Sequence, residues 1–322
     1  MSELINIKNL KVNLMSPRGI VHAVRDINLE IAQGQIHGLV GESGCGKSMT
    51  AKSIMRLHDE KKMLYGGEII YEGNTDILTM KEKELEQIRG KDISMIFQDP
   101  MTTLNPLLRI GKQLDEMILQ HEKVSKAEAK ERSLKLLEKV GIFPAEQRYK
   151  QYPFELSGGM LQRVSIAMAI ACNPKLLIAD ESTTALDVTV QAQILRLIKE
   201  LQEQNGMSVL VITHNFGVIA EICDVVSVMY AEVIVEHGPV GEIFHNPKHP
   251  YTMDLIQSIP KSGERGGKLV TIPGTPPDLR RKIVGCAYAE RCKYATDACR
   301  ESAPQLESCG ENHEFACKHK FA

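Results

Sequence analysis

The chain has 322 residues, of which 43% are apolar, and this composition excludes a disordered or fibrous protein. Lysine and arginine total 39 against 41 aspartates and glutamates, so the net charge of -2 provides no overall basic field for nucleic acid or anionic lipid. No apolar run reaches the ~20 residues of a membrane-spanning helix. The N-terminal stretch MSELINIKNL lacks the pattern of a secretory leader. These features predict a soluble, intracellular chain of about two domains.

The apolar pattern of residues 1–245 predicts an α/β domain. Short β-branched runs at residues 35–40, 93–97, 176–179 and 209–213 alternate with helical stretches, as in buried parallel sheets. Residues 114–140 carry apolar side chains at helical spacing among lysines and glutamates, which predicts a helical insertion. Six prolines from Pro247 to Pro277 mark a change in composition, and we place a domain boundary near residue 245.

Residues 41–48 match the phosphate-binding pattern G-x-x-x-x-G-K-[ST] between a predicted strand and a predicted helix. Together with the next residue of the helix, the candidate nucleotide-binding residues are Gly41, Glu42, Ser43, Gly44, Cys45, Gly46, Lys47, Ser48 and Met49. Glycines let the backbone wrap around phosphates, which the amide groups and the helix N-terminus attract. We expect Lys47 to reach the β- and γ-phosphate oxygens and the Ser48 hydroxyl to bind Mg²⁺. Cys45 occupies a free position of the pattern, so we expect it to contribute its amide rather than to act as a nucleophile.

An acidic pair, Asp180 and Glu181, follows the apolar run at residues 176–179. Two carboxylates at the tip of a buried strand suit Mg²⁺ chemistry on a nucleotide. We expect Asp180 to hold Mg²⁺ through water and Glu181 to polarise the attacking water. Ordinary surface acids after a strand are the alternative for this stretch taken alone.

Residues 156–163, with the sequence LSGGMLQR, lie between these two motifs, and with them the chain resembles the nucleotide-binding subunits of ABC transporters. Gln98 resembles the Q-loop of that family, residues 185–187 (ALD) the D-loop, and His214 the switch histidine. The resemblance implies an α/β, P-loop ABC-type nucleotide-binding domain with a helical subdomain at about residues 99–165, which binds ATP and Mg²⁺.

The resemblance also implies roles for the remaining site residues. The signature residues Ser157, Gly158 and Gly159 would face the γ-phosphate of ATP held by a second ATPase subunit. Gln98 would join Ser48 and Asp180 at Mg²⁺ and take part in catalysis with Glu181 and His214.

Four residues depart from the family pattern, namely Leu161, Ser182, Asn215 and Glu232. None of them removes a residue of the expected chemistry. No aromatic residue for stacking adenine is evident in residues 14–22, where Arg18 or apolar residues are the candidates.

The C-terminal region, residues 246–322, resembles the extension of the oligopeptide/dipeptide branch of these importers, which also contains nickel and metal-chelate systems. The resemblance rests on residues 249–252 (HPYT) and 272–277 (IPGTPP). In some members this extension holds a [4Fe-4S] cluster. That implies four ligands and leaves Cys309 as a spare, the ligands being Cys286, Cys292, Cys299 and Cys317.

The cysteine pattern bears on this cluster independently. Clustering of five of the eight cysteines from residue 286 onward indicates metal binding rather than disulfides in a reducing compartment. The spacing lacks the C-x₂-C knuckles typical of structural zinc, whereas ligation of an iron–sulfur cluster tolerates looser loops. Zinc and unligated thiols remain as alternatives. Cys172 and Cys223 lie in apolar runs and are expected in the core.

The sequence therefore predicts an ATP-hydrolysing subunit that energises import of oligopeptides or dipeptides from the cytoplasmic face of the membrane. The implied partners are a second, different ATPase subunit, two transmembrane permease subunits docked near Gln98 and residues 101–108, and an extracytoplasmic binding protein. One alternative is the same role in a nickel or metal-chelate importer. Another is a soluble ABC ATPase acting on nucleic acid or ribosomes, but such chains usually carry two cassettes or a long coiled coil. A regulatory module would have lost Glu181 or His214, and both are present.

Overall fold

A computed structural model describes residues 2–17, 19–181, 188–259, 271–280 and 283–321. The chain groups into two compact units. The first comprises Thr79–Leu210 with the first two residues, and the second comprises Glu3–Leu78 and Val211–Ala322. Arg18, Ser182 and the predicted D-loop at residues 185–187 lie outside the described residues.

The strands follow the apolar runs of the sequence. In chain order they are β1 (Glu3–Ser16), β2 (Gly19–Ala32), β3 (Ile36–Val40), β4 (Met63–Tyr71), β5 (Thr75–Asp76), β6 (Ile93–Ile96), β7 (Leu176–Asp180), β8 (Ser208–Thr213), β9 (Val225–Tyr230), β10 (Val233–Pro239), β11 (Glu307–Gly310) and β12 (His313–Phe315). The four runs that predict parallel strands correspond to β3, β6, β7 and β8, so the expected α/β pattern is confirmed.

The helices separate these strands. In chain order they are α1 (Lys47–Ile54), α2 (Glu82–Ile88), α3 (Pro100–Thr103), α4 (Ile110–His121), α5 (Lys126–Lys139), α6 (Ala145–Tyr149), α7 (Gly158–Ala169), α8 (Val188–Asn205), α9 (Phe216–Ile222), α10 (Val240–His245), α11 (Pro250–Gln257) and α12 (Asp297–Glu301). Within the described ranges, no helix combines the length and apolarity needed to cross a membrane.

The first unit contains β6 and β7, which pair in parallel with Ile93 opposite Leu176. The helical insertion is confirmed, but it consists of two helices, α4 and α5. The break comes before Ser125, which caps α5 by accepting a hydrogen bond from the Glu128 amide. Buried apolar side chains of these helices form a small core that includes Ile118 and Ala129.

The second unit holds two sets of paired strands. In the first set the order is β2-β1-β4-β5, and in the second β11, β12, β10, β9 and β3 are neighbours in that order. β3 runs parallel to β9, with every residue of β3 buried, as expected for an interior strand. The C-terminal region shares its packing with the rest of this unit, because Tyr251 and Tyr288 lie in the same buried cluster as Val40, Val228 and Tyr230.

Candidate functional site

The phosphate loop (residues 41–48) connects β3 to α1 in the second unit. A Cβ atom on Gly41 would lie 2.0 Å from the Met229 carbonyl oxygen, so only glycine fits there. Gly46 has φ of 103°, in the left-handed region, and precedes the first turn of α1. Ser43 and Gly44 are exposed, whereas Ser48 and Met49 lie in that first turn. Glycine at positions 41 and 46 therefore permits the close approach and the left-handed turn between β3 and α1.

Lys47 lies buried against its own loop. Its Nζ donates to the carbonyl oxygens of Gly41 and Glu42, at 2.9 Å each. Its Nζ also lies 3.6 Å from Cys45 Sγ. Burial raises the pKa of the Cys45 thiol despite this neighbouring ammonium. A reactive cysteine requires a lowered pKa, so Cys45 has the environment of a structural residue.

Two side chains and one backbone amide hold the phosphate loop from outside, and the sequence patterns predict none of these contacts. Glu42 donates its amide proton to Tyr251 Oη at 2.8 Å, and its carboxylate pairs with Arg291. The amide of Glu232 donates to the Cys45 carbonyl oxygen at 3.0 Å. These contacts join residues far apart in the chain, so local sequence patterns do not reveal them. The one sequence signal is Glu232, which departs from the family pattern.

The acidic pair lies at the end of β7 in the first unit. Asp180 is buried as the last residue of the strand, and Glu181 follows in the left-handed region with φ of 43°. Gln98 Nε2 donates to Glu181 Oε2 at 3.0 Å. The structure thus brings together two of the predicted catalytic residues. An amide that holds one carboxylate oxygen fixes the direction in which Glu181 presents its charge.

The signature residues form the start of α7. Ser157 is the N-cap, and its side chain accepts a hydrogen bond from the Met160 amide. Gly158 is exposed and Gly159 half-buried, so the positive end of the helix is open at this point. Leu161, which departs from the family pattern, is 2% exposed and points into the core. The presence of leucine at position 161 therefore affects the packing behind the signature residues rather than the exposed N-terminus of α7.

His214 is exposed directly after β8. The next residue, Asn215, caps α9 by accepting a hydrogen bond from the Gly217 amide at 2.9 Å. Asparagine and aspartate cap helices about equally well, which explains how the departure at 215 leaves the local geometry intact. The phosphate loop and His214 belong to the second unit, whereas Gln98, the signature and the acidic pair belong to the first.

The four predicted ligand cysteines converge on one cavity in the second unit. Its lining includes Cys286, Cys292, Cys299 and Cys317, together with His319. Cys309 is exposed and outside this lining. Burial raises the pKa of the thiols of Cys286 and Cys292, and that of Cys317 to about 11. Burial also acts on Cys299, but hydrogen bonding from Thr296 and the nearby Lys318 and Arg300 outweigh it and lower its pKa.

The fit of this cavity to a metal group is mixed. Four thiols around one centre are the donor set of an iron–sulfur cluster. The cavity volume, however, is about 10 Å³, which is room for about one water molecule. In the part of the chain that the structure describes, no three His, Cys, Asp or Glu side chains are arranged to hold a metal ion. The cysteine side chains would have to rearrange to accommodate a cluster.

Comparison with known proteins identifies the family. The ABC transporter family matches residues 24–184, and the family described as oligopeptide/dipeptide transporter, C-terminal region, matches residues 235–299. The chain belongs to the ABC transporter family. As an ABC ATPase it uses ATP and Mg²⁺, and it carries the C-terminal region found in oligopeptide/dipeptide transporters.

Similar proteins extend this result over nearly the full length. The chain is 49% identical to a putative peptide import ATP-binding protein of Brucella ovis, with 98% of this chain and 96% of the relative covered. It is 49% identical to the oligopeptide transport ATP-binding protein OppD of Bacillus subtilis, with coverage of 97% and 87%. Among solved structures, the dimeric post-hydrolysis cassette MJ0796 with ADP and phosphate aligns with a TM-score of 0.65 and 28% identity. That alignment covers 73% of this chain and 98% of the cassette, which supports the ABC fold of the ATPase part.

Proposed function

We propose that this chain is the ATP-hydrolysing subunit that energises import of oligopeptides or dipeptides. The observation that carries the proposal is the near-complete match to relatives named as peptide import ATP-binding proteins, at 49% identity. The match includes the C-terminal region, which a general ABC ATPase acting on nucleic acid or ribosomes does not require. The relatives' names favour peptides over nickel or metal chelates as cargo.

We assign the site residues as follows. Lys47 and the amides of residues 41–49 hold the phosphates of ATP, and Ser48, Gln98 and Asp180 surround Mg²⁺. Glu181 polarises the attacking water and His214 contacts the γ-phosphate. The contact between Gln98 and Glu181 supports this assignment, because an oriented carboxylate is what a base acting on water needs.

We assign the exposed start of α7 to a partner subunit. A helix N-terminus attracts phosphate, and Ser157, Gly158 and Gly159 would complete the ATP site of a second, different ATPase chain. The pair would dock on two permease subunits at the cytoplasmic face of the membrane, with an extracytoplasmic protein delivering the peptide. Exposure of Met101 and Leu107 supports docking through residues 101–108.

We further propose that Cys286, Cys292, Cys299 and Cys317 hold a [4Fe-4S] cluster. Their convergence on one cavity supports the proposal. Burial raises the pKa of the Cys286 and Cys317 thiols, which disfavours their thiolate forms. A positively charged metal group would stabilise these thiolates. The small cavity volume means that loading requires the side chains to rearrange.

The role of Glu181 provides the test of hydrolysis. Glu181→Gln keeps the size and the contact with Gln98 but removes the base, so ATP hydrolysis should fall about a hundredfold or more. ATP binding should persist, and the closed dimer with the partner ATPase subunit should accumulate on size-exclusion chromatography when both chains are mixed with ATP. Glu86→Gln, on the exposed side of α2, is the matched control and should hydrolyse normally. Unchanged turnover in Glu181→Gln would refute the assignment.

A further inference from the structure

A buried arginine of the C-terminal region, Arg291, contacts the phosphate loop. Arg291 forms a two-pronged ion pair with Glu42, with its Nη1 2.6 Å from Oε2 and its Nη2 3.0 Å from Oε1. The Arg291 side chain is 4% exposed and that of Glu42 is 26% exposed. A bidentate pair of this kind fixes both distance and orientation. We propose that Arg291 is a positioning residue for ATP, which acts by holding Glu42 and with it the phosphate loop.

Arg291 is itself held on several sides, so it can act as a fixed support. Its Nε donates to the Pro273 carbonyl oxygen at 2.8 Å, and its Nη2 to the Ile272 carbonyl oxygen at 3.4 Å. Its guanidinium carbon lies 5.7 Å from the ring centre of Tyr230 and 5.8 Å from that of Tyr288. The hydrogen bonds to Glu42 raise the pKa of Arg291, which stays charged throughout. Few conformations are open to a side chain with this many contacts.

Every polar part of Glu42 has a defined partner. Its amide donates to Tyr251 Oη at 2.8 Å, its carbonyl oxygen accepts from Lys47 Nζ at 2.9 Å, and its carboxylate meets Arg291. The position of Glu42 therefore sets where the Lys47 ammonium rests. Because Lys47 is the side chain expected to reach the β- and γ-phosphates, a displaced Glu42 would leave that ammonium poorly placed for ATP.

The alternative is that Arg291 serves only the aromatic core around Tyr230 and Tyr288. The two roles differ in whether the effect of replacing Arg291 depends on Glu42. A purely structural arginine would lower the unfolding temperature without a specific effect on ATP, and its effect would be independent of Glu42. A positioning arginine would weaken ATP binding, and its effect would disappear once Glu42 can no longer respond to it.

The inference rests on the proposed function as an ATPase, and ATP affinity of the full-length chain tests it. Titration with a fluorescent ATP analogue should show about tenfold or more weaker binding for Arg291→Met, as is typical when a bidentate charged anchor is removed. KM for ATP should rise while kcat changes little, because the contact acts in the ground state. Arg291→Lys should not restore affinity, since lysine lacks the planar fork.

Two further variants complete the design. Glu42→Gln should weaken ATP binding similarly, and the double variant should bind no more weakly than the poorer single variant. Arg280→Met is the matched control, because Arg280 is exposed and pairs with Asp278 nearby in the chain. If Arg291→Met does not fold, Glu42→Gln still tests the inference. The Glu42 carboxylate is partly exposed, so its replacement should disturb the core less.

Wild-type affinity in a folded Arg291→Met or in Glu42→Gln would overturn the inference, as would additive effects in the double variant. Failure of the proposed function would look different. In that case the wild-type chain itself would lack ATP hydrolysis or peptide transport, whatever the variants do.

Discussion

Glu232 shows how one residue can change the chemistry beside the phosphate loop. It adopts φ of 72°, a conformation that favours glycine, and its side chain is 1% exposed. Its Oε2 accepts from Arg25 Nε at 2.6 Å, whereas its Oε1 has no hydrogen-bond partner in the described part of the chain. Burial raises the pKa of Glu232 to about 7, and the pairing with Arg25 offsets this only in part.

The raised pKa of Glu232 has a defined effect on stability. Below the ordinary glutamate pKa of 4.5, which applies to the unfolded chain, the carboxyl is protonated in both states. Between that value and about 7 the folded protein keeps a proton that the unfolded chain releases, so stability falls as pH rises. Above pH 7 the contribution of Glu232 to the free energy of unfolding no longer changes with pH.

Glu232→Gln should remove that pH dependence. In the wild type, the free energy of unfolding should include a contribution that falls by up to about 1.4 kcal/mol per pH unit between pH 5 and 7. The variant should lack this contribution. Urea unfolding at several pH values measures it, with Glu86→Gln as the control at an exposed position. Parallel pH profiles for the wild type and Glu232→Gln would contradict the assigned pKa.

At the scale of elements, continuous apolar runs made the parallel strands predictable. The four runs correspond to β3, β6, β7 and β8 because interior strands are apolar on both faces. The break between α4 and α5 has a sequence signal in Ser125 followed three residues later by Glu128, a helix-start pattern that periodicity alone does not reveal.

Other contacts of the site could not be predicted. The pair between Glu42 and Arg291 joins residues 249 positions apart, and no local spacing encodes it. The convergence of the cysteines depends equally on tertiary structure. The Cys286 amide donates to the Cys299 carbonyl oxygen at 2.7 Å, and a Cβ on Gly285 would lie 2.4 Å from that oxygen. Glycine at 285 therefore permits the close approach of two cysteine segments.

The cysteine cavity gives a prediction for this C-terminal element. Anaerobically purified full-length protein should show broad absorbance in the blue, with iron and acid-labile sulfide in equal amounts. Cys299→Ser should lose both, because Cys299 lines the cavity, whereas Cys309→Ser should retain them as the matched exposed control. Colourless protein that contains zinc, or no metal at all, would exclude the cluster.

At the scale of the whole molecule, the second unit joins the ATPase core and the C-terminal region through shared packing. Tyr230, Tyr251 and Tyr288 lie in mutual ring contact, with centroid distances of 4.5 to 5.3 Å. Tyr251 also accepts a hydrogen bond from the phosphate loop, and Tyr288 lines the cysteine cavity. The region that matches oligopeptide/dipeptide transporters therefore contacts and supports the phosphate loop.

We propose that this chain converts ATP hydrolysis into peptide import. The most direct measurement is uptake of a labelled oligopeptide into proteoliposomes that contain the complete transporter, with ATP supplied on the side of this subunit. We predict ATP-dependent accumulation that Lys47→Ala abolishes, because this variant loses the ammonium that meets the phosphates. Peptide accumulation that continues unchanged with Lys47→Ala, or a transporter that accumulates nickel and not peptide, would contradict ATP-driven peptide import by this chain.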